Sequence, residues 1–105
     1  MNSWVILFLA GLFEVSWAIG LKFSQGFSKL LPSVLTVAGM IFSFVFLSLA
    51  LKKLPLSVAY AVWTGIGIAG TSILGVVLFN EAVSVMKVVF VGFIVIGILG
   101  LRLTQ

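Results

Sequence analysis

The sequence predicts an all-α membrane protein with four transmembrane helices. Of its 105 residues, 63% are hydrophobic and only 8% are charged, whereas a soluble domain carries roughly 25% charged residues. Six Lys and Arg with two Asp and Glu cannot cover a folded body of this size with polar groups. Lipid must therefore face most of the surface.

Charges and turn residues separate four apolar stretches, at about residues 4–21, 30–51, 58–79 and 82–103. A bilayer core of about 30 Å requires about 20 helical residues, so each stretch can cross once. Pro32 and Pro55 lie near the starts of the second and third stretches, where a missing N–H costs least. Lys87 and Arg102 bound much of the fourth, and their side chains must extend towards the headgroups. We therefore expect one domain, residues 1–105, with short loops between its helices.

Several classes of protein are excluded by what the sequence lacks. It contains no Cys and no His, so disulfides, thiol catalysis and the commonest metal ligands are absent. No Walker A motif is present, which argues against ATP as an energy source. The net charge of +4 comes from scattered residues and not from the basic patch that nucleic-acid binding requires. We predict no enzyme activity, no metal site, no organic cofactor and no nucleic-acid partner.

The basic residues are divided equally between the two sides of the predicted bundle. Lys52, Lys53 and Arg102 fall on the side of the termini, and Lys22, Lys29 and Lys87 fall on the other. Orientation normally follows an excess of Lys and Arg on the cytoplasmic side, and here neither orientation is favoured. We therefore expect the chain to insert both ways and opposite copies to pair. Two antiparallel copies would also supply the inverted symmetry that many transporters use.

Glu14 is the only acidic residue inside an apolar stretch. It follows Trp4 by ten residues, about 15 Å along a helix, which places it near the bilayer midplane. A charged group at that depth costs several kcal/mol, and such residues are functional by default. Two carboxyl groups facing each other across a dimer would also resist ionising together. If a cation needs the ionised carboxylate, proton and cation compete for one site, and exchange follows without a nucleotide.

Helical spacing indicates which residues share a face with Glu14. On the first helix the face contains Ala10, Gly11, Glu14, Trp17 and Ala18, and on the third it contains Tyr60, Trp63, Thr64, Gly67 and Thr71. Ser43 is a polar residue near the middle of the second helix. Depth alone leaves open whether the two tryptophans line a cavity or anchor their helices at the interface.

Glycines suggest where helices pack closely. Gly65, Gly67 and Gly70 lie in the first half of the third helix, where they indicate either close helix contact or a bend. Gly92, Gly97 and Gly100 lie in the fourth helix and are better suited to dimer packing. We assign conformational or packing roles to four glycines, namely Gly11, Gly65, Gly67 and Gly97.

Three segments closely resemble the small multidrug resistance family. They are Gly11-Leu-Phe-Glu14-Val-Ser-Trp17-Ala, then Leu21-Lys22-Phe-Ser24 with Gly26-Phe27 and Pro32-Ser33, and Ala59-Tyr60-Ala61-Val62-Trp63-Thr64-Gly65-Ile66-Gly67. The similarity extends over essentially the full length. It implies a dual-topology, antiparallel dimer that exchanges protons for cations through the glutamate matching Glu14. It also implies that the fourth helix, including Gly97, forms the dimer seam.

Trp17 indicates a subtype within that family. Guanidinium exporters carry Trp three residues after the glutamate, whereas quaternary-ammonium exporters typically have Gly there. By resemblance, the residues that bind substrate and proton are Glu14, Trp17, Ser43, Tyr60 and Trp63. Guanidinium is a planar cation with N–H donors along its edges, which suits a carboxylate and aromatic rings.

The sequence thus predicts a proton-coupled guanidinium exporter of the bacterial inner membrane that works as an antiparallel homodimer and uses the proton gradient for energy. Three alternatives stay open. One is an exporter of quaternary ammonium or other lipophilic cations, and another is a membrane subunit that transports nothing. The third is one half of a heteromeric pair, because Gly70-Thr71 and Phe79-Asn80-Glu81 resemble such subunits. A separate departure from the family pattern is Ser57, which stands where the family usually has Gly.

Overall fold

The computed structural model describes residues 2–104 and is helical throughout apart from short connections. Its four helices are α1, Ser3–Phe23; α2, Leu30–Ala50; α3, Leu56–Phe79; and α4, Val85–Leu103. Each is long and apolar enough to cross a membrane. The predicted all-α architecture with four transmembrane helices is confirmed.

The start of α4 differs most from the predicted bounds, because it begins at Val85 and not near residue 82. Asn80 adopts a left-handed conformation with φ of 55° and ends α3. The Ser84 hydroxyl then accepts a hydrogen bond from the Lys87 N–H at 3.1 Å, which satisfies a free donor in the first turn of α4. Hydrophobicity alone could not locate this cap, since Ala82 and Val83 are as apolar as the helix that follows.

The helices lie in the order α2, α1, α3, α4. The backbone of α1 packs closely on those of α2 and α3, whereas that of α4 comes close only to α3. The subunit measures 41 × 34 × 18 Å, so its thinnest dimension is less than two helix diameters. One subunit is therefore a slab that exposes two broad faces.

The core lies at the end of the slab where α1 begins, α2 ends and α3 begins. Its buried residues are Leu7, Ala10, Ala50, Val58, Ala59, Val62 and Trp63. Lipid tails are as apolar as these side chains, so helix association in a membrane depends on close packing, which small residues permit. The three alanines bring the helices together at this end. In contrast, no described residue of α4 is buried.

At the opposite end of the slab, ion pairs connect the helices. The Glu81 carboxylate lies 3.7 Å from the Lys22 ammonium and 3.7 Å from that of Lys87. The Lys22 ammonium also lies 4.9 Å from the centre of the Phe79 ring. Although exposed, Glu81 links the end of α1 to the start of α4.

Candidate binding site around Glu14

Glu14 lies near the middle of α1, and its carboxyl group packs against Gly67 of α3. A Cβ at position 67 would overlap all three heavy atoms of that carboxyl group. The contact therefore requires glycine. One carboxyl oxygen, Oε1, is buried and has no hydrogen-bond partner among the described residues.

Two further polar atoms near this carboxyl group are buried without a partner in the described part of the chain. They are the Trp17 indole nitrogen and the Thr64 hydroxyl. Trp17 is one helical turn beyond Glu14, and Thr64 is one turn before Gly67, which touches Glu14. A buried polar atom without a partner costs about 1–3 kcal/mol, so three such atoms on adjoining turns of α1 and α3 mark a region where another molecule can supply the missing partners.

Ser43 joins three helices through its hydroxyl group. It donates a hydrogen bond to the Ala10 carbonyl at 2.8 Å and accepts one from the Trp63 indole N–H at 3.0 Å. Ser43 is fully buried and Trp63 is 7% exposed. The structure thus gives the Ser43 hydroxyl two partners inside the subunit, and this hydroxyl fixes the plane of the Trp63 indole.

Four aromatic rings, contributed by α1, α2 and α3, contact one another in a row. Centroid distances are 5.6 Å from Tyr60 to Trp63, 6.0 Å from Trp63 to Phe44, and 6.3 Å from Phe44 to Trp17. Tyr60 is 55% exposed and Phe44 is 47% exposed, so ring surface remains free at this face. Rings at these distances pack on one another and present π-electron density to a cation.

Phe44 was not identified from the sequence. It lies in the run Phe42-Ser43-Phe44, and its neighbour Ser43 provided the only signal. The ring joins the two tryptophans, which are on different helices. Of the five predicted site residues, Trp17, Trp63 and Tyr60 belong to this chain of rings, and Ser43 is hydrogen-bonded to Trp63. Glu14 lies one helical turn before Trp17 and contacts Gly67, one turn beyond Trp63.

The four assigned glycines occupy different surroundings. A Cβ at Gly11 would lie 2.6 Å from Ile66 Cγ2, so Gly11 and Gly67 together bring α1 against α3. A Cβ at Gly65 would meet Ile98, so Gly65 brings α4 against α3. A Cβ at Gly97 would meet nothing within 4 Å. Because α3 is one continuous helix, the structure favours close contact over a bend at Gly65 and Gly67.

No group of three or more His, Cys, Asp or Glu comes together within residues 2–104. Glu14 is the only charged residue of the site, surrounded by aromatic rings, small residues and hydroxyl groups. Such a site is suited to holding one small cation at a time or a proton in its place.

The fold and this site together define a small membrane transporter subunit built around one intramembrane carboxyl group. A family model described as Small Multidrug Resistance protein matches residues 2–94. The chain belongs to the small multidrug resistance family and is a multi-pass protein of the bacterial inner membrane.

Three relatives that align over nearly the whole chain are named guanidinium exporter. A protein from Proteus vulgaris named guanidinium exporter is 50% identical over 103 residues, which cover 98% of this chain and 99% of the relative. A guanidinium exporter from Yersinia pestis is 54% identical over 103 residues, which again cover 98% of this chain and 99% of the relative. One from Escherichia coli strain K12 is 53% identical over 102 residues, 97% of each chain. The predicted family is confirmed.

Proposed function

We propose that this protein exports guanidinium in exchange for protons, as an antiparallel homodimer that binds both at Glu14. The observation that carries the proposal is the buried, unpartnered Oε1 of Glu14, with unpartnered Trp17 and Thr64 groups on the adjoining turns of α1 and α3. The name guanidinium exporter, shared by its relatives, supports this substrate.

The chemistry of guanidinium fits the groups present. Its N–H donors can pair with both oxygens of the Glu14 carboxylate, which is the strong bidentate geometry. Its faces can stack on the exposed ring of Tyr60, which packs on the buried Trp63 ring and supplies cation–π attraction. The Thr64 hydroxyl can donate to the carboxylate or accept from the cation.

Coupling follows from competition for one carboxyl group. An ionised carboxylate near the bilayer centre costs about 2.5–3.5 kcal/mol even by the lower scale, so Glu14 is best neutralised by a proton or a bound cation. When the site opens to one side, one ligand replaces the other. A proton gradient then drives guanidinium outward, since proton entry requires cation release.

The antiparallel arrangement is supported by the slab shape and by α4. The face that carries Glu14 is polar and aromatic, and a second slab would cover it. Since α4 buries none of its described residues and Gly97 meets nothing, α4 has a surface free for its counterpart in a second copy. The equal division of basic residues allows that copy to have the opposite orientation.

The transport test uses purified protein in liposomes with a guanidinium gradient and a pH-sensitive dye inside. We expect guanidinium movement to drive protons the opposite way, and the Glu14→Gln variant to abolish this flux. Glu81→Gln is the matched control, because it removes the only other acidic side chain of the sequence and leaves the site intact. Flux retained by Glu14→Gln, or lost equally in both variants, would contradict the proposal.

The same liposomes distinguish the other functions. Preferred exchange of tetraalkylammonium ions would indicate a quaternary-cation exporter. No flux with either cation would indicate a subunit that transports nothing, or one that needs a different partner chain.

Orientation is tested separately by cysteine labelling, since the sequence contains no Cys. Ser28→Cys and Ser57→Cys place one thiol in an exposed position at each end of the bundle and leave the balance of basic residues unchanged. We expect an impermeant reagent to label about half of each variant from either side of the membrane. One-sided labelling would exclude the antiparallel homodimer and favour a heteromeric pair.

A further inference from the structure

A groove of about 610 Å³ lies between α1 and α4, with α3 as its floor. We call it the outer groove. Phe8 and Val15 line it from α1, Ile66 and Ile73 from α3, and Leu99 from α4. These side chains are wholly apolar, and the groove is long and open to the surroundings of the bundle.

The outer groove faces away from both the candidate site and the free side of α4. Leu12 lines the groove and precedes Glu14 by two residues, so the two side chains point about 200° apart around α1. Val95 lines the groove and precedes Gly97 by the same spacing. The groove is therefore distinct from the substrate site, and it stays exposed to lipid when α4 packs on a second copy.

Arg102 is the only charged residue that lines the groove, and it lies at one end. Its guanidinium group is 4.8 Å from the centre of the Trp4 ring. This cation–π contact holds the guanidinium group at that end of the outer groove. The only acidic side chains of the sequence are Glu14 at mid-helix and Glu81, which pairs with lysines at the opposite end. Arg102 thus has no acidic side-chain partner within residues 2–104.

The length of the groove matches one leaflet of the bilayer. Its floor extends over the part of α3 from Val62 to Leu74, and the twelve helical rises between these residues cover about 18 Å. That is slightly more than half of the hydrocarbon core of about 30 Å. Arg102 lies in the last turn of α4, where headgroups begin.

We propose that the outer groove binds one anionic phospholipid, with an acyl chain along Ile66 and Ile73 and the headgroup phosphate on Arg102. The apolar walls of the outer groove can bind the acyl chain of a phospholipid whatever the charge of its headgroup. Arg102 provides the preference for an anionic headgroup. The planar guanidinium can donate two parallel hydrogen bonds to phosphate oxygens. The inference is independent of the transported substrate.

The test uses the full-length protein in phosphatidylcholine vesicles that contain a trace of phospholipid spin-labelled on its acyl chain. Electron spin resonance then measures the fraction of lipid immobilised by the protein, for phosphatidylglycerol and for phosphatidylcholine. We expect phosphatidylglycerol to associate about fivefold more strongly at low salt, as one basic residue near the surface allows. Arg102→Gln should remove this preference, whereas Lys53→Gln, which changes a basic residue outside the groove, should keep most of it.

A second pair of variants tests the groove itself. Ala69→Phe fills it from the floor and should release the immobilised lipid of either headgroup, while Ala61→Phe, at an exposed position of α3 outside the outer groove, should release none. If Ala69→Phe fails to fold, Leu99→Trp fills the groove from the other wall. Equal loss of preference in Arg102→Gln and Lys53→Gln, with no effect of groove filling, would show general attraction to basic residues and overturn the proposal. Equal association of both lipids with the unmodified protein would overturn it as well.

Discussion

Gly67 is the position where one added methyl group acts most directly on the candidate site. In Gly67→Ala the new Cβ overlaps Oε1, Cδ and Oε2 of Glu14, so the carboxyl group must retreat by about 1 Å to restore van der Waals contact. The carboxyl group is the end of a flexible side chain and can move, so the cost stays at or below the roughly 1–3 kcal/mol of inserting a methyl group into a packed core. Because the carboxylate leaves its position in the proposed site, we expect guanidinium binding to weaken about 5-fold and by at most about 150-fold.

The assay is the intrinsic tryptophan fluorescence of the purified protein during titration with guanidinium, since Trp17 and Trp63 belong to the proposed site. Gly70→Ala is the matched control, because it adds the same methyl group to the same contact between α1 and α3 but meets Val15 and not Glu14. We expect the control to lower the unfolding temperature without a comparable loss of affinity. An unchanged Kd in Gly67→Ala, or an equal loss in Gly70→Ala, would refute the reasoning.

Three further changes have defined outcomes. Ser43→Ala leaves the Trp63 indole N–H without its partner, and we expect a loss of stability of about 1–3 kcal/mol, measured by denaturation in detergent. Phe44→Leu removes the ring between Trp63 and Trp17, and at about 0.5–1.5 kcal/mol per ring pair we expect the guanidinium Kd to rise several-fold. Gly97→Val adds bulk where the subunit itself offers no contact, so we expect an unchanged helical content but weaker dimers, measured by cross-linking.

Each of these changes has a control elsewhere in the chain. Ser48→Ala removes a hydroxyl that bonds only within α2, and it should leave stability nearly unchanged. Phe42→Leu removes a ring that stacks on Phe13, outside the aromatic chain, and it should leave the Kd unchanged. Val95→Leu enlarges a side chain on the groove side of α4 and should leave dimers intact. A control that behaves like its partner variant would assign the effect to packing in general.

The fold was largely predictable because the bilayer imposes length and polarity on each helix. The unusual cost of a carboxyl group at mid-membrane also identified Glu14 without any structure. Helical spacing placed Trp17 beside Glu14 and placed Gly67 on the same face of α3 as Trp63. These relations depend only on the periodicity of single helices.

Relations between helices were not predictable in the same way. The link from Ser43 to Trp63 depends on how α2 and α3 approach across α1, and no periodicity within one helix contains that information. Phe44 was not predicted as a site residue because an apolar residue in an apolar helix does not stand out in the sequence. The start of α4 was misplaced because Ser84 acts through its cap geometry, which hydropathy does not reveal.

The position of α3 affects how the sequence of this protein can evolve. One side of α3 accommodates Glu14 through Gly67, and another side accommodates α4 through Gly65, only two residues away. In the proposed dimer, mutations in α4 can thus alter which partner is chosen while the proposed cation binding at Glu14 persists, and changes around Glu14 can alter selectivity without loss of pairing. Substitutions on α3 between Gly65 and Gly67 affect both contacts, so at these positions a change that alters pairing also alters the site around Glu14.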